Sequence, residues 1–289
     1  MVDVYEKIKE GERGAWVSIF AYLILSALKL TIGYLFLSSA LQADGLNNLT
    51  DIVASVAVLI GLRISRKPPD GDHAYGHFRA ETVAALIASV IMALVGVQVL
   101  VDAGRTLTAG KEESPEAWVA AVALFCAAAM YGVYRYNLAL SKQTGSQALM
   151  AASKDNLSDA LVSIGAAVGI LGSQLGMPWL DVVAAFVVGL IICKTAWEIL
   201  SDSLHRLTDG FDEKELAGIR QTIGAVAGVE EVRDLKARVN GSQTVIDVIV
   251  EVPRDLSLIE GHDIADRIEA ELKEKHEIYF VGVHVEPKE

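Results

Sequence analysis

Long apolar runs separated by short polar breaks fill the first two thirds of the chain. Six such runs fall at roughly 15–37, 42–62, 80–104, 116–138, 150–174 and 180–200. Each is close to the ~20 residues that a helix needs to cross a bilayer. After Leu200 the period changes. Residues 211–225 read as an amphipathic helix, and 229–239 and 244–252 alternate as strands, with Asn240-Gly241 supplying the hairpin turn. Residues 256–275 read as a second helix, with Ser257 as its N-cap and Glu260 completing a capping box. Residues 278–285 read as a last strand. The pattern predicts six transmembrane helices over 1–206 and an αββαβ domain over 207–289.

Loop charge orients the spans. Arg63, Arg66, Lys67 and Arg79 lie between the second and third runs, and Arg135, Lys142 and Lys154 between the fourth and fifth. The 38–42 and 175–179 loops hold no Lys or Arg, and 105–115 holds only Arg105 and Lys111. Excess basic charge marks the cytoplasmic side, so a multi-pass protein of the cell membrane with both termini cytoplasmic is expected. The tail has the order of a small open-faced sandwich and resembles ferredoxin-like metal-chaperone domains. A core of roughly eighty residues is marginal alone, so the tail is expected to dimerise.

Composition sharpens this picture. The chain is 52% hydrophobic and has a mean hydropathy of +0.39, yet its net charge is -12. These values fit together only if the apolar residues are concentrated in spans and the charges in the tail. The acidic balance argues against nucleic acid as a partner, because backbone binding needs a basic face. Bilayer lipid is the partner that the spans require. Cys126 and Cys193 lie inside apolar runs and form neither a zinc-finger nor a disulfide pattern. The first fourteen residues are charged and amphipathic, with no cleavable signal peptide evident.

The chemistry concentrates in two matched stretches. Asn47-Asn48-Leu49-Thr50-Asp51 and Asp155-Asn156-Leu157-Ser158-Asp159 open the second and fifth runs, each with a serine four residues further on, Ser55 and Ser163. Residues four apart share one helix face. Acids inside a membrane span are costly unless they face a cavity, a partner or a cation. If the two spans pack together, Asn47, Asp51, Asp155 and Asp159 put four oxygen donors around one point, which suits a divalent cation. Lys29 and Lys194, by contrast, read as snorkelling side chains without a role.

A second cluster lies in the loop from Pro68 to Glu81. Asp70, His73 and His77 are oxygen and nitrogen donors spaced to fold around one ion, and Gly71 and Gly76 suit a tight loop. A polar turn with capping residues is the alternative. Glu81 complements the start of the third span. In the tail His262, His284 and Glu286 are possible ligands or simply surface polar residues, and His276 reads as surface.

These features together resemble the cation diffusion facilitator family. The resemblance rests on six spans, polar pairs in the second and fifth, the His-x-Tyr-Gly-His-x-Arg-Ala-Glu loop from His73 to Glu81, and the αββαβ tail. It covers nearly the whole chain. It implies a homodimeric antiporter that exports a divalent metal from the cytoplasm in exchange for protons, with no organic cofactor. It implies a transport site at Asn47, Asp51, Asp155 and Asp159, a loop site at Asp70, His73 and His77, and a charge interlock between Arg79 and Asp209.

The chain departs from the family's zinc exporters, which resemble Asp-x3-Asp in the second span and His-x3-Asp in the fifth. Asn47 stands for the first Asp and Asp155 for the His. The set therefore lacks imidazole and is similar to that of the manganese exporters. Zinc favours nitrogen and sulfur, whereas Mn²⁺ suits oxygen. Mn²⁺ is the expected substrate, with Fe²⁺ or Zn²⁺ as alternatives. In the tail Arg233 and Ile249 replace two histidines of the family's binuclear zinc site, so a strong tail site is not expected. Two other classes are weaker. An intramembrane hydrolase would want a signature such as His-Glu-x-x-His, which is absent, so no enzyme is expected. A membrane-bound metal sensor without transport would not need paired acids within the spans.

Overall fold

A computed structural model describes residues 2–36, 39–109, 117–177, 179–278 and 280–288. The chain divides into two compact units, Met1–Ser203 and Leu204–Glu289.

The first unit is built from long helices: α1 (Val2–Leu35), α2 (Ser39–Ser65), α3 (Arg79–Ala109), α4 (Trp118–Thr144), α5 (Gln147–Gln174) and all but the last turn of α6 (Trp179–Leu207). At 1.5 Å per residue even the 27-residue α2 is about 40 Å long, more than the ~30 Å of a bilayer's hydrocarbon. Among the described residues, Ile8–Leu35, Asn47–Ser65, Arg79–Arg105 and Trp118–Thr144 are long and apolar enough to cross a membrane. Their outward faces carry exposed apolar side chains, Phe20, Ile24, Leu94 and Phe125 among them. The charged N-terminal residues do not form a separate element but continue directly into α1.

Small residues let the helices close on one another. Gly45 lies so near α1 that a Cβ there would stand 2.9 Å from Leu30 Cγ, and Ser26 Oγ donates to the Gly45 carbonyl at 2.8 Å. A Cβ on Gly61 would overlap Ala84 of α3. Close approach through glycine and alanine replaces the hydrophobic drive that helices lack in lipid. The α1–α4–α5 contact is sealed by Tyr22, Leu25, Cys126, Met130 and Ala160. Glu81 sits buried in the first turn of α3.

The second unit contains α7 (Glu213–Gly224), β1 (Glu231–Asn240), β2 (Gln243–Val252), α8 (Leu258–His276) and β3 (Phe280–Pro287). The sheet order is β1-β2-β3, with β1–β2 antiparallel and β2–β3 parallel across α8. Ile219, Ile223, Ile246, Val248, Val250, Ile268 and Leu272 form the core between helices and sheet. The strand period of two aims Ile246, Val248 and Val250 inward and Asp247 outward. The hairpin turn falls one residue later than the sequence suggests. Asn240 pairs with Gln243, so Gly241-Ser242 makes the turn, with Gly241 at φ 64. The glycine thus takes the first central position, where positive φ costs it least.

Both tail helices are capped. Asp212 accepts from the backbone of Lys214 and Glu215 at 2.9 and 3.0 Å. Ser257 and Glu260 form the expected capping box. Replacing Ser257 by Ala leaves the first turn of α8 without its acceptor. It should destabilise the tail by about 1 kcal/mol, read as faster hydrogen exchange of α8 amides in the full chain.

Candidate metal site

Helix spacing brings the two acidic stretches to one place. α2 carries Asn47 and Asp51, one turn apart, and α5 carries Asp155 and Asp159 likewise. One carboxylate oxygen from each of Asp51, Asp155 and Asp159 lies within 4.8 Å of the others. Asp51 and Asp159 are buried, whereas Asp155 and Asn47 are partly open. The Asn47 amide donates to Asp51 Oδ2 at 3.3 Å, so all four expected residues share the cluster. Three carboxylates at this spacing repel one another strongly away from water. They are a cradle for a small, highly charged cation with oxygen preference.

Helix α1 also contributes, which reading the acid pairs alone missed. Tyr22 is fully buried, and its hydroxyl contacts Asp159 Oδ2 and, at 3.3 Å, Asp155 Oδ2. Asn156 points away from the carboxylates and holds the tyrosine, donating to Tyr22 Oη at 2.9 Å. Its carbonyl oxygen accepts from Ser18 Oγ at 3.2 Å and Asn137 Nδ2 at 2.8 Å. A buried polar network thus runs from α4 through α1 to the acids on α5 and fixes their rotamers. The signal was present in the sequence: Ser18, Tyr22, Ser26 and Lys29 form one polar stripe at helical spacing in an otherwise apolar run.

Lys29 is not a snorkelling side chain. It is fully buried, with Nζ 2.8 Å from Asp44 Oδ2 and 3.1 Å from Ser163 Oγ. The physical reason is its place on the polar stripe, which turns it inward to a carboxylate rather than outward to lipid. Lys194 does reach outward. It is largely exposed, with Glu198 3.8 Å away.

The loop residues also come together. Asp70, His73 and His77 each place a ligand atom within 4.8 Å of the others. Asp70 Oδ1 accepts from the backbone of Asp72 and His73 at 3.1 and 2.8 Å, and its contact with His73 Nδ1 is 3.0 Å. Asp70 Oδ2 lies 3.4 Å from His77 Nε2. These features make the loop both a capped turn and a set of donors.

In the tail the three possible ligands do not assemble within one chain. Strand alternation turns Val283 and Val285 towards the core and leaves His284 and Glu286 on the other face of β3. His262 belongs to α8, which packs on the core side. Glu286 is taken by Arg233, with Nη1 2.5 Å from Oε2, and His284 Nε2 lies 3.5 Å from its other oxygen. A β-bulge between Val232 and Asp234 presents Arg233 there. Arg79 opens α3 in the first unit and Asp209 follows α6 in the second, at φ 60.

Comparison with known proteins fits this architecture. Residues 15–208 match the cation efflux transmembrane domain, and residues 211–288 match the cation efflux protein, cytoplasmic domain. The chain belongs to the cation diffusion facilitator family. It is 58% identical over 285 residues to the manganese efflux system protein MneS of Bacillus subtilis (strain 168), covering 99% of this chain and 98% of that protein. From the same organism, the manganese efflux system protein MneP is 31% identical over 291 residues, covering 98% of each chain, and the uncharacterized transporter YdbO is 52% identical over 282 residues, covering 98% of this chain and 97% of that protein. The chain is thus a membrane metal exporter of a transporter family, with manganese-exporting relatives.

Asp70 gives the loop a pH signature. The hydrogen bond from His73 holds its carboxyl below the ordinary value, helped by the backbone donors. A depressed carboxylate stabilises above the unfolded value, about 3.9, and loses that effect as pH falls through its own lower value. Amide protection at Asp72 and His73 should therefore persist at neutral pH and fade only below about pH 4. Asp70→Ala should abolish it at all pH, as read by hydrogen exchange.

Proposed function

We propose that the chain is a homodimeric Mn²⁺/proton antiporter that moves Mn²⁺ out of the cytoplasm by alternating access. Its six long helices all span the membrane, both termini are cytoplasmic, and the αββαβ tail is a ferredoxin-like dimerisation domain. The observation that carries this reading is the convergence of Asp51, Asp155 and Asp159 between α2 and α5, with oxygens within 4.8 Å.

Asn47, Asp51, Asp155 and Asp159 hold the transported ion. The three acids supply negative charge, and Asn47 turns its amide to present a carbonyl oxygen. Every donor is oxygen, and no imidazole stands among them. Such a set suits Mn²⁺ and disfavours Zn²⁺, which prefers nitrogen and sulfur. Two of the similar proteins are manganese efflux systems, which agrees with this preference. Fe²⁺ neighbours Mn²⁺ in intrinsic affinity and is the next candidate.

Coupling follows from charge. Three clustered carboxylates need positive charge among them, from the metal or from protons. Metal entering from the cytoplasm expels protons, and protons entering from outside expel the metal. The Asp70, His73 and His77 loop is an accessory metal site near the cytoplasmic mouth. The tail works as a dimer by packing, because Arg233 already neutralises Glu286, and His262 and His284 sit on opposite layers.

Sealed vesicles holding the purified protein test the reading. Mn²⁺ should be taken up in preference to Zn²⁺ and Cd²⁺, with opposing proton movement recorded inside. Asp51→Ala and Asp159→Ala should each reduce the flux at least tenfold, equivalent to ~1.4 kcal/mol or more of lost stabilisation. The pH midpoint of transport should move in Asp155→Asn. Preferred Zn²⁺ flux, or an unmoved midpoint, would contradict the account. Absence of any flux would favour a sensor.

A further inference from the structure

The strongest unexplained feature in the membrane unit is the buried charge at Lys29. Its ammonium is enclosed by oxygens from two other helices. Asp44 Oδ2 lies at 2.8 Å and Ser163 Oγ at 3.1 Å. Asn48 completes the cage. With its amide oriented by the hydrogen-bond network, the carbonyl oxygen accepts from Lys29 Nζ at 3.1 Å and the nitrogen donates to the Asp44 carbonyl at 3.3 Å. Ser163 also donates to Asp44 Oδ2 at 3.0 Å. All four side chains are buried, and Asp44 Oδ1 has no hydrogen-bond partner.

This cage repeats the acid cluster. It uses the same helices, α1, α2 and α5. Ser163 lies one turn beyond Asp159, about 6 Å along α5. Asp44 and Asn48 precede Asp51 by two turns and one turn on α2, and Lys29 lies two turns beyond Tyr22 on α1. The donors are of the same kind as at the acid cluster: a carboxylate, an amide carbonyl and a hydroxyl. The difference is that a lysine nitrogen already stands at the centre.

We propose that Lys29 is a built-in cation that fills a second oxygen cage, so that the pathway through this unit holds one divalent ion rather than two. Lys29 is a specificity-determining residue in this sense. The ammonium takes Asp44 out of competition for metal, and its charge repels a second cation approaching from the acid cluster. The inference builds on the transport-site reading, and the two fail separately in the experiment below.

The test counts bound metal. Full-length protein in lipid nanodiscs is titrated with Mn²⁺ alone, and free Mn²⁺ is read by its EPR signal. His73→Ala and His77→Ala are present throughout to silence the loop. Asp159→Ala in this background tests the transport site, which should lose its ion. Lys29→Met tests the inference, since it removes the charge and its side chain ends one atom short, leaving the place of Nζ open. It should bind one more Mn²⁺ per chain than the background, and adding Asp44→Asn should abolish that gain. An unchanged count in folded Lys29→Met would overturn the proposal.

Removing one member of a buried pair can prevent folding. The double variant Lys29→Met/Asp44→Asn leaves no uncompensated charge and serves as the second measurement. It should retain the background's one ion, with affinity within about threefold, a shift of under ~1 kcal/mol. Loss of that ion would show that Lys29 and Asp44 belong to the acid cluster and would also overturn the proposal.

Discussion

Negative charge gathered where water is scarce is the constraint around which the membrane unit is arranged. Three carboxylates on α2 and α5 share a space of under 5 Å between oxygens. Such a cluster is tolerable only if something holds the side chains apart and something positive visits or stays. The surroundings supply both. Tyr22 on α1 contacts Asp155 and Asp159, Asn156 on α5 holds Tyr22, and Ser18 and Asn137 hold Asn156 in turn. Two turns before Asp51 on α2, Asp44 has a lysine of its own.

Backbone proximity makes this arrangement possible. Gly45 lets α2 lie against Leu30 of α1, and Gly61 lets it lie against Ala84 of α3. With bulkier residues the helices would stand further apart and the oxygens would not converge. The small residues and the polar residues are therefore parts of one device. The same principle of a protein-supplied cation recurs in the tail, where Arg233 neutralises Glu286. That contact brings positive charge to Glu286 from within the chain.

Much of this was legible in the sequence. The long helices, the two acid pairs, the loop cluster and the capping box at Ser257 were all carried by local spacing, which survives into the structure. What spacing did not give is the partner across helices. Lys29 alone in an apolar run looks like a snorkelling side chain, and only its membership of the stripe Ser18, Tyr22, Ser26, Lys29 turns it inward. Asn156 sits between the two acids and carries no role in the spacing argument, yet helical geometry points it towards α1 and α4, where it holds Tyr22. In the tail, His262 and His284 are close in fold order but separated by strand alternation. These features share one cause: a residue's face, not its spacing alone, decides its partner.

The central claim is that an oxygen-only set from α2 and α5 holds the transported ion. It is tested most directly by pulsed EPR of Mn²⁺ bound to the purified protein, with His73 and His77 replaced by Ala. The account predicts no strong nitrogen coupling from imidazole, and its appearance only when Asp155→His is introduced, together with a gain in Zn²⁺ affinity. Imidazole coupling in the protein with Asp155 intact, or bound Mn²⁺ that survives Asp51→Ala and Asp159→Ala together, would contradict it.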